Sequence, residues 1–66
     1  MKYRVCEKDS YDVLEIEADN PVEAVDKAHC ECGWESMDVY QKIEDDWIFD
    51  GNFTLVREVK TYDSDR

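Results

Sequence analysis

The chain has 66 residues, of which 18 are Asp or Glu and 8 are Lys or Arg, so its formal net charge at pH 7 is −10. This length suffices for one small domain and excludes a large enzyme with a deep cleft. The acidity argues against direct binding to nucleic acid or to an anionic membrane, because both require a basic surface. Apolar residues make up 42% of the chain, which is too much for a typical disordered protein, so we expect a folded domain.

The N-terminal segment and the number of cysteines indicate where in the cell the protein is located. Residues 1–7 become charged before an apolar stretch of signal-peptide length can form, and no stretch reaches the length of a transmembrane helix. The chain has 3 cysteines, and an odd number favours reduced thiols over a disulfide framework. We therefore expect a cytoplasmic protein, located in the host cytoplasm if a phage encodes it.

Two alternating segments at the start predict a β-hairpin. In residues 1–8, Tyr3 and Val5 share one face and charged residues share the other, which is the period of a half-buried strand. Residues 11–18 repeat the alternation, and the Asp-Ser pair at 9–10 supplies a turn. We expect the two strands to pair antiparallel.

Residues 19–33 carry the start and stop signals of a helix. Asn20 is a suitable N-cap, Pro21 suits the first helical position, and Glu23 can complete a capping box. We expect the helix to run from Pro21 to residue 31 or 32 and to stop at Gly33, a natural left-handed cap. The residues that the helical period places on the face toward the sheet are Val22, Ala24, Val25, Ala28, His29 and Cys32.

The strand period returns after the helix. Residues 37–44 place Met37, Val39 and Ile43 on one face, and Asp45-Asp46 indicates a turn or a bulge. Two apolar runs, at 47–49 and 53–62, flank the Asp-Gly-Asn segment at 50–52, and Asp-Gly between such runs predicts a hairpin.

The predicted order β-β-α-β-β-β is typical of an α+β fold. We expect an antiparallel sheet of four to five strands with one helix packed on one face. Residues 1–62 are predicted to form a single domain and residues 63–66 a disordered tail.

The best candidates for a metal site are His29, Cys30 and Cys32, with Cys6, because zinc prefers imidazole and thiolate ligands. However, Cys30 and Cys32 point about 200° apart on a helix, and Cys-x-Cys differs from the spacing of zinc knuckles. A catalytic pair of His29 and Cys30 is disfavoured for a similar reason, because adjacent helical residues point about 100° apart. The sequence favours packing roles for His29 and Cys32 and an exposed thiol at Cys30, with no catalytic residue, metal or cofactor.

Carboxylates are abundant without matching a known site. Three bulky apolar residues interrupt the acids of segment 45–52, so this segment does not match a calcium-binding loop. The chain has 2 glycines, too few for a glycine-rich phosphate loop.

The distribution of charge is the remaining signal. Basic residues cluster near the two ends of the chain, at Lys2, Arg4, Lys8, Arg57 and Lys60. Spaced carboxylates can imitate nucleic-acid phosphates and attract a basic protein surface, whereas the alternative is that acidity only keeps the protein soluble. The predicted partner-binding residues are Glu31, Glu35, Asp38, Glu44, Asp45, Asp46 and Asp50, with Trp34 and Trp47 as apolar anchors. Both tryptophans can alternatively close the ends of the core.

One helix can cover only one face of the sheet. Val13, Tyr40, Ile48 and Val56 are predicted to share the uncovered face. A small domain can complete its burial by self-association through such a face. Self-association as a homodimer is therefore an alternative to binding a basic partner protein.

The passage from strand to capped helix at residues 16–25 (IEADNPVEAV) resembles small phage and bacterial proteins of ββαββ type. Over residues 1–32 the chain is similar to some anti-CRISPR inhibitors and, more loosely, to HicB-type antitoxins. The first resemblance implies a stoichiometric inhibitor that blocks the nucleic-acid-binding surface of a CRISPR effector without catalysis. The second is poorer, because no DNA-binding appendage follows.

We therefore predict a small, acidic, non-enzymatic interaction protein. Its predicted partner is a basic nucleic-acid-binding protein, such as a CRISPR effector or another defence effector. It is not expected to bind nucleic acid or membranes directly. The alternative is a self-associating, ligand-sequestering or antitoxin-like module that uses the uncovered sheet face.

Overall fold

A computed structural model describes residues 1–56 and 61–65, which form one helix and one five-stranded sheet. The strands are β1 (Lys2–Glu7), β2 (Val13–Glu17), β3 (Ser36–Ile43), β4 (Asp46–Val56) and β5 (Thr61–Asp65), and the helix α1 spans Pro21–Cys32. All neighbouring strands pair antiparallel, in the order β2-β1-β3-β4-β5. The predicted α+β fold, with one helix on an antiparallel sheet, is confirmed.

The first two strands form the predicted hairpin. Tyr3 pairs with Ile16, and the Glu7 N–H donates a hydrogen bond to the Asp12 carbonyl at 2.8 Å, which closes the loop. Tyr3 and Val5 are fully buried. The alternation along β1 therefore directs its apolar side chains toward the helix, as predicted.

Both ends of α1 are capped as the sequence predicts. The Asn20 side chain accepts a hydrogen bond from the Glu23 N–H at 2.8 Å, which satisfies one of the free donors of the first turn. Gly33 has φ 75° and donates its N–H to the His29 carbonyl at 2.8 Å. The left-handed conformation at this position favours glycine.

The buried face of α1 is narrower than the helical period predicts. Ala24, Val25 and Ala28 are fully buried, whereas Val22 is 48% exposed and Cys32 is exposed. Val22 and Cys32 lie in the first and last turns, and the contact with the sheet is made by the centre of the helix. The packing role predicted for Cys32 is therefore wrong.

The Asp-Gly pair forms a β-bulge and not the predicted hairpin turn. β4 is continuous, with Gly51 paired to Val39 and Phe49 paired to Tyr40, so Asp50 is an extra residue on β4. Gly51 has φ 138°, which residues with a side chain rarely adopt. Because tight turns and bulges both use glycine at positive φ, the Asp-Gly signal does not distinguish between them.

The turn before β4 lies one residue earlier than Asp45-Asp46. Ile43 pairs with Asp46, leaving a two-residue loop in which Glu44 has φ 56°. Ile43 was predicted to share the apolar face of β3, but it is 50% exposed. It lies near the turn, beyond the part of β3 that the helix covers.

The last described residues form a strand. β5 pairs with β4 from Thr61 opposite Val56 to Asp65 opposite Asn52. Residues 63–65, predicted as a disordered tail, therefore belong to the sheet, where ladder pairing satisfies backbone groups irrespective of polar side chains. The predicted strand 53–62 is divided between β4 and β5. Residues 57–60 and 66 lie outside the described residues.

The hydrophobic core lies between α1 and the sheet. Its largest fully buried side chains are Tyr3, Val5, Val25, Met37 and Val39. The opposite side of the sheet, which we call the open face, carries the side chains that alternate along each strand with those facing the core. Its members include Arg4, Cys6, Asp38, Tyr40, Lys42, Trp47, Phe49 and Asn52. No helix in the described part of the chain has the length and apolar character needed to cross a membrane.

Candidate functional site

Most of the predicted partner-binding residues lie in two groups, one before β3 and one after it. Glu31, Trp34 and Glu35 lie at the end of α1 and before β3, whereas residues 44–46 follow β3. β3 has 8 residues, and a rise of about 3.3 Å per residue separates the two groups by roughly 25 Å. The two groups therefore do not form one contiguous patch.

Glu44, Asp45 and Asp46, which we call the acidic turn, lie at the tip of the β3–β4 hairpin. All three are exposed, and within residues 1–56 and 61–65 none of them forms an ion pair. No residue from 40 to 50 is buried, so this end of the hairpin lies outside the core. Three exposed carboxylates on such a tip produce a negative potential that extends about 8 Å at physiological salt.

Trp47 lies next to the acidic turn on the open face, where two cations contact its ring. The Arg4 guanidinium carbon lies 4.2 Å from the ring centroid and the Lys42 ammonium lies 5.8 Å from it. Arg4 also lies 4.0 Å from the Glu15 carboxylate. A cation–π contact contributes about 0.5–1 kcal/mol at an exposed site. These contacts hold the indole ring in place, so Trp47 is a half-buried part of the open face.

The bulge brings an aromatic pair to the open face that the sequence analysis missed. Tyr40 and Phe49 are cross-strand partners with ring centroids 5.4 Å apart and ring planes at 62°. Phe49 is 49% exposed. The sequence analysis assumed uninterrupted alternation and therefore predicted Ile48 on the open face. The extra residue Asp50 reverses the alternation of the side chains, so Ile48 lies on the opposite side and the prediction for Ile48 is wrong. Recognition of the Asp-Gly pair as a bulge would have identified Phe49.

The residues near the start of β3 have structural contacts. Trp34 packs against the core, and its carbonyl accepts a hydrogen bond from His29 Nδ1 at 2.8 Å. The alternative that Trp34 closes one end of the core is therefore confirmed. Asp38 on the open face accepts a hydrogen bond from Asn52 Nδ2 at 2.8 Å. Its carboxylate is thus partly engaged within the sheet.

Asp50 lies at the bulge, away from the acidic turn. Burial raises the pKa of the Tyr3 phenol, and the charges of Asp50 and Asp19 raise this pKa further. The negative charge of Asp50 therefore acts on the phenol of Tyr3, which is fully buried in the core. The position of Asp50 differs from that of the three carboxylates at the hairpin tip.

The basic residues of β1 lie near the acidic turn, although they are distant from it in sequence. β1 pairs with β3, which places Arg4 opposite Tyr40. Lys42 on β3 lies opposite Trp47. Cations therefore line the open face next to the acidic turn, because strand order brings together segments that are distant in sequence. Arg57 and Lys60 lie outside the described residues.

The cysteines lie on two sides of the sheet. Cys30 is exposed on α1, as predicted, whereas Cys6 is half-buried on the open face. In the described ranges, no three His, Cys, Asp or Glu residues are grouped as metal ligands. Burial and the charge of Asp38 raise the pKa of the Cys6 thiol, partly opposed by Arg4. A raised thiol pKa reduces the fraction of reactive thiolate at neutral pH.

Comparisons of the chain with protein-family models, curated proteins and solved structures found no match. Function is therefore inferred from the geometry and charge of the chain itself.

Proposed function

We propose that this is a non-enzymatic binding protein that occupies the basic, nucleic-acid-binding surface of a partner protein. The acidic turn is the observation that carries the proposal. Its three carboxylates are exposed at the tip of a hairpin and have no ion-pair partner within the described residues. The net charge of −10 adds long-range attraction toward a basic surface.

Aromatic residues beside the acidic turn support a protein partner. Trp47 is held on the open face by Arg4, and Phe49 is 49% exposed next to Tyr40. Protein interfaces commonly combine aromatic anchors with a charged rim. The hairpin end offers both, because the carboxylates lie at its tip and the aromatic rings lie along one face.

We infer the class of the partner from the negative charge of this protein. We take one example of that class from the sequence resemblance to anti-CRISPR inhibitors. A CRISPR effector is one basic nucleic-acid-binding protein, and it is named here on the anti-CRISPR resemblance alone. We place the interaction in the cytoplasm, since an odd number of cysteines favours reduced thiols over a disulfide framework.

Affinity capture from host cells tests this proposal. The tagged wild-type protein is expected to capture basic nucleic-acid-binding proteins, and added duplex DNA is expected to displace them. Glu44→Gln, Asp45→Asn and Asp46→Asn combined should abolish capture, because they remove the charges that imitate phosphates. Capture should also weaken steeply as salt rises.

The matched control neutralises three exposed acids elsewhere, by Asp9→Asn, Asp12→Asn and Asp19→Asn combined. This control has the same net charge as the triple variant of the acidic turn and should retain the partner. Equal loss in both variants would show that net charge alone attracts the partner. Retention in both would contradict the proposal.

Self-association through the open face is a second candidate, supported by the exposed aromatic pair. Phe49 and Val13 are 49% and 53% exposed on this face, and Tyr40 contacts Phe49. A face-to-face dimer would cover these side chains. The ligand-sequestering or antitoxin-like module proposed from sequence would use this arrangement.

A further inference from the structure

The end of the β3–β4 hairpin carries exposed aliphatic side chains on the side of the sheet where α1 packs. Gln41 and Ile43 follow the buried Val39 in steps of two along β3, so they share its side of the sheet. Ile48 pairs with Gln41, and Asp46 pairs with Ile43, which places both on that same side. Ile43 and Ile48 are 50% and 48% exposed. We call Ile43, Asp46 and Ile48 the aliphatic patch.

The aliphatic patch combines apolar surface with a carboxylate. Ile43 and Ile48 are diagonal neighbours on the two strands, with their Cβ atoms roughly 7 Å apart. Asp46 lies beside both, because it is opposite Ile43 and two residues before Ile48. Asp46 is exposed and forms no ion pair within residues 1–56 and 61–65. A group that covers the patch must therefore present apolar surface to the two isoleucines and positive charge to Asp46.

Charge distinguishes the two sides of the hairpin end. On the open face, Arg4 and Lys42 lie 4.2 Å and 5.8 Å from the ring centroid of Trp47, and these cations oppose the approach of a basic segment. On the side of the aliphatic patch, Asp46 and the rest of the acidic turn attract it. A basic segment of the partner is therefore better matched by the patch, and the aromatic rings of the open face remain available to other parts of the partner.

We propose that the aliphatic patch binds a basic, amphipathic segment of the partner protein. Apolar side chains of that segment cover Ile43 and Ile48, and its lysine or arginine side chains contact Asp46. This inference rests on the proposed function and specifies where on the hairpin the partner is recognised. Apolar contact at the patch adds affinity to the long-range attraction that the acidic turn exerts.

The test uses a capped peptide of leucine and lysine as the probe, ordered so that the leucines share one face of a helix. A second peptide has the same composition and charge, but its order distributes the leucines around the helix. The first peptide should bind about tenfold more tightly, because only its apolar face can cover both isoleucines. Titration at physiological salt measures both affinities. Changes in the amide NMR resonances of Ile43 and Ile48 should locate the contact.

A protein variant tests the same patch without a change in charge. Ile48→Thr keeps a β-branched residue in the strand but removes apolar surface, so it should weaken binding of the first peptide on the order of fivefold. Val22→Thr is the matched control, because Val22 is also 48% exposed but lies on α1, where it lines a groove with Tyr62. This control should leave binding of the peptide unchanged.

The outcomes separate this inference from the proposed function. Equal binding of the two peptides, wild-type affinity in Ile48→Thr, or resonance changes confined to the open face would overturn the inference and leave the proposed function intact. A dimer of the isolated protein that Ile48→Asp dissociates would show that a second copy covers the patch, which would also overturn the inference. Failure of partner capture by the wild-type protein would overturn the proposed function.

Discussion

Two tyrosines in the described part of the chain have a raised pKa. The hydroxyl groups of Tyr3 and Tyr62 are buried and have no hydrogen-bond partner among the described residues. Burial, followed by the charges of Asp26 and Cys30, raises the pKa of Tyr62 to about 12. The ring packs edge-on against His29, with ring centroids 6.5 Å apart. Both phenols therefore favour their neutral form in the folded protein.

We expect Tyr62 to make stability sensitive to alkaline pH. Its pKa rises from 10.0 to about 12 on folding, so the folded state retains a proton that the unfolded state releases. This contribution is complete below pH 10.0 and is lost as the pH rises toward about 12. Tyr62→Phe should reduce the alkaline loss of stability, measured by urea unfolding across this range.

Tyr11→Phe is the control for this measurement. Tyr11 is 85% exposed, so this substitution removes a phenol that lies in solvent. The variant should lose stability with pH as the wild-type protein does. If Tyr62→Phe also follows the wild-type curve, the alkaline loss does not arise from Tyr62.

At the level of elements, the bulge in β4 decides which residues face which side. The extra residue Asp50 shifts the register between Val39 and Tyr40 of the opposing strand. Phe49 consequently joins Tyr40 on the open face, and Ile48 moves to the other side. Glycine at position 51 permits this arrangement, because it can adopt a φ of 138°, which residues with a side chain rarely adopt.

We expect Gly51→Ala to destabilise the protein by about 2 kcal/mol, because alanine must adopt a strained conformation at this φ. Gly33→Ala is the comparison. Gly33 has φ 75°, and an added Cβ would meet no atom within 4 Å, so the cost there is about 1 kcal/mol. Denaturant unfolding measures both differences. A loss for Gly51→Ala no larger than that for Gly33→Ala would show that the bulge accommodates a side chain.

At the scale of the whole molecule, one layer of helix covers one face of the sheet. The described residues extend 37 × 22 × 21 Å, and the end of the β3–β4 hairpin lies outside the core. The exposed aromatic residues of the open face and the acidic turn favour different partners. Apolar contact favours a second copy, whereas charge favours a basic protein.

Sedimentation distinguishes these two partners. The proposed function predicts that the isolated protein is a monomer, because its charge of −10 opposes association. Self-association predicts a dimer that Phe49→Asp dissociates. Ile48→Asp is the matched control, since Ile48 is equally exposed on the opposite side of the hairpin. Such a dimer would favour the second candidate function over the first.

Local signals in the sequence predicted most of the fold. The first hairpin and α1 follow from alternation, from Asn20 and Pro21 at the helix start, and from Gly33 at its end. Each of these signals acts through neighbouring residues. Residues 63–65 were predicted as a tail because they are polar and carry no alternation, and their pairing with β4 depends on residues distant in sequence.

The candidate site was predicted only in part. The carboxylates at residues 44–46 were predicted as partner-binding residues from charge alone, and the structure places them together on an exposed tip. The contact between Arg4 and Trp47 was not predicted, because it depends on β1 and β4 flanking β3 in the sheet. The position of Phe49 on the open face was missed because the bulge was taken for a turn.

The sequence by itself determined the net charge, the helix with its caps, the first hairpin and the α+β class, because composition and local backbone preferences specify them. The tertiary structure decided the order of the strands, the faces of β4 on either side of the bulge and the contact of cations with Trp47. These features depend on strand register and pairing, which join segments far apart in the chain.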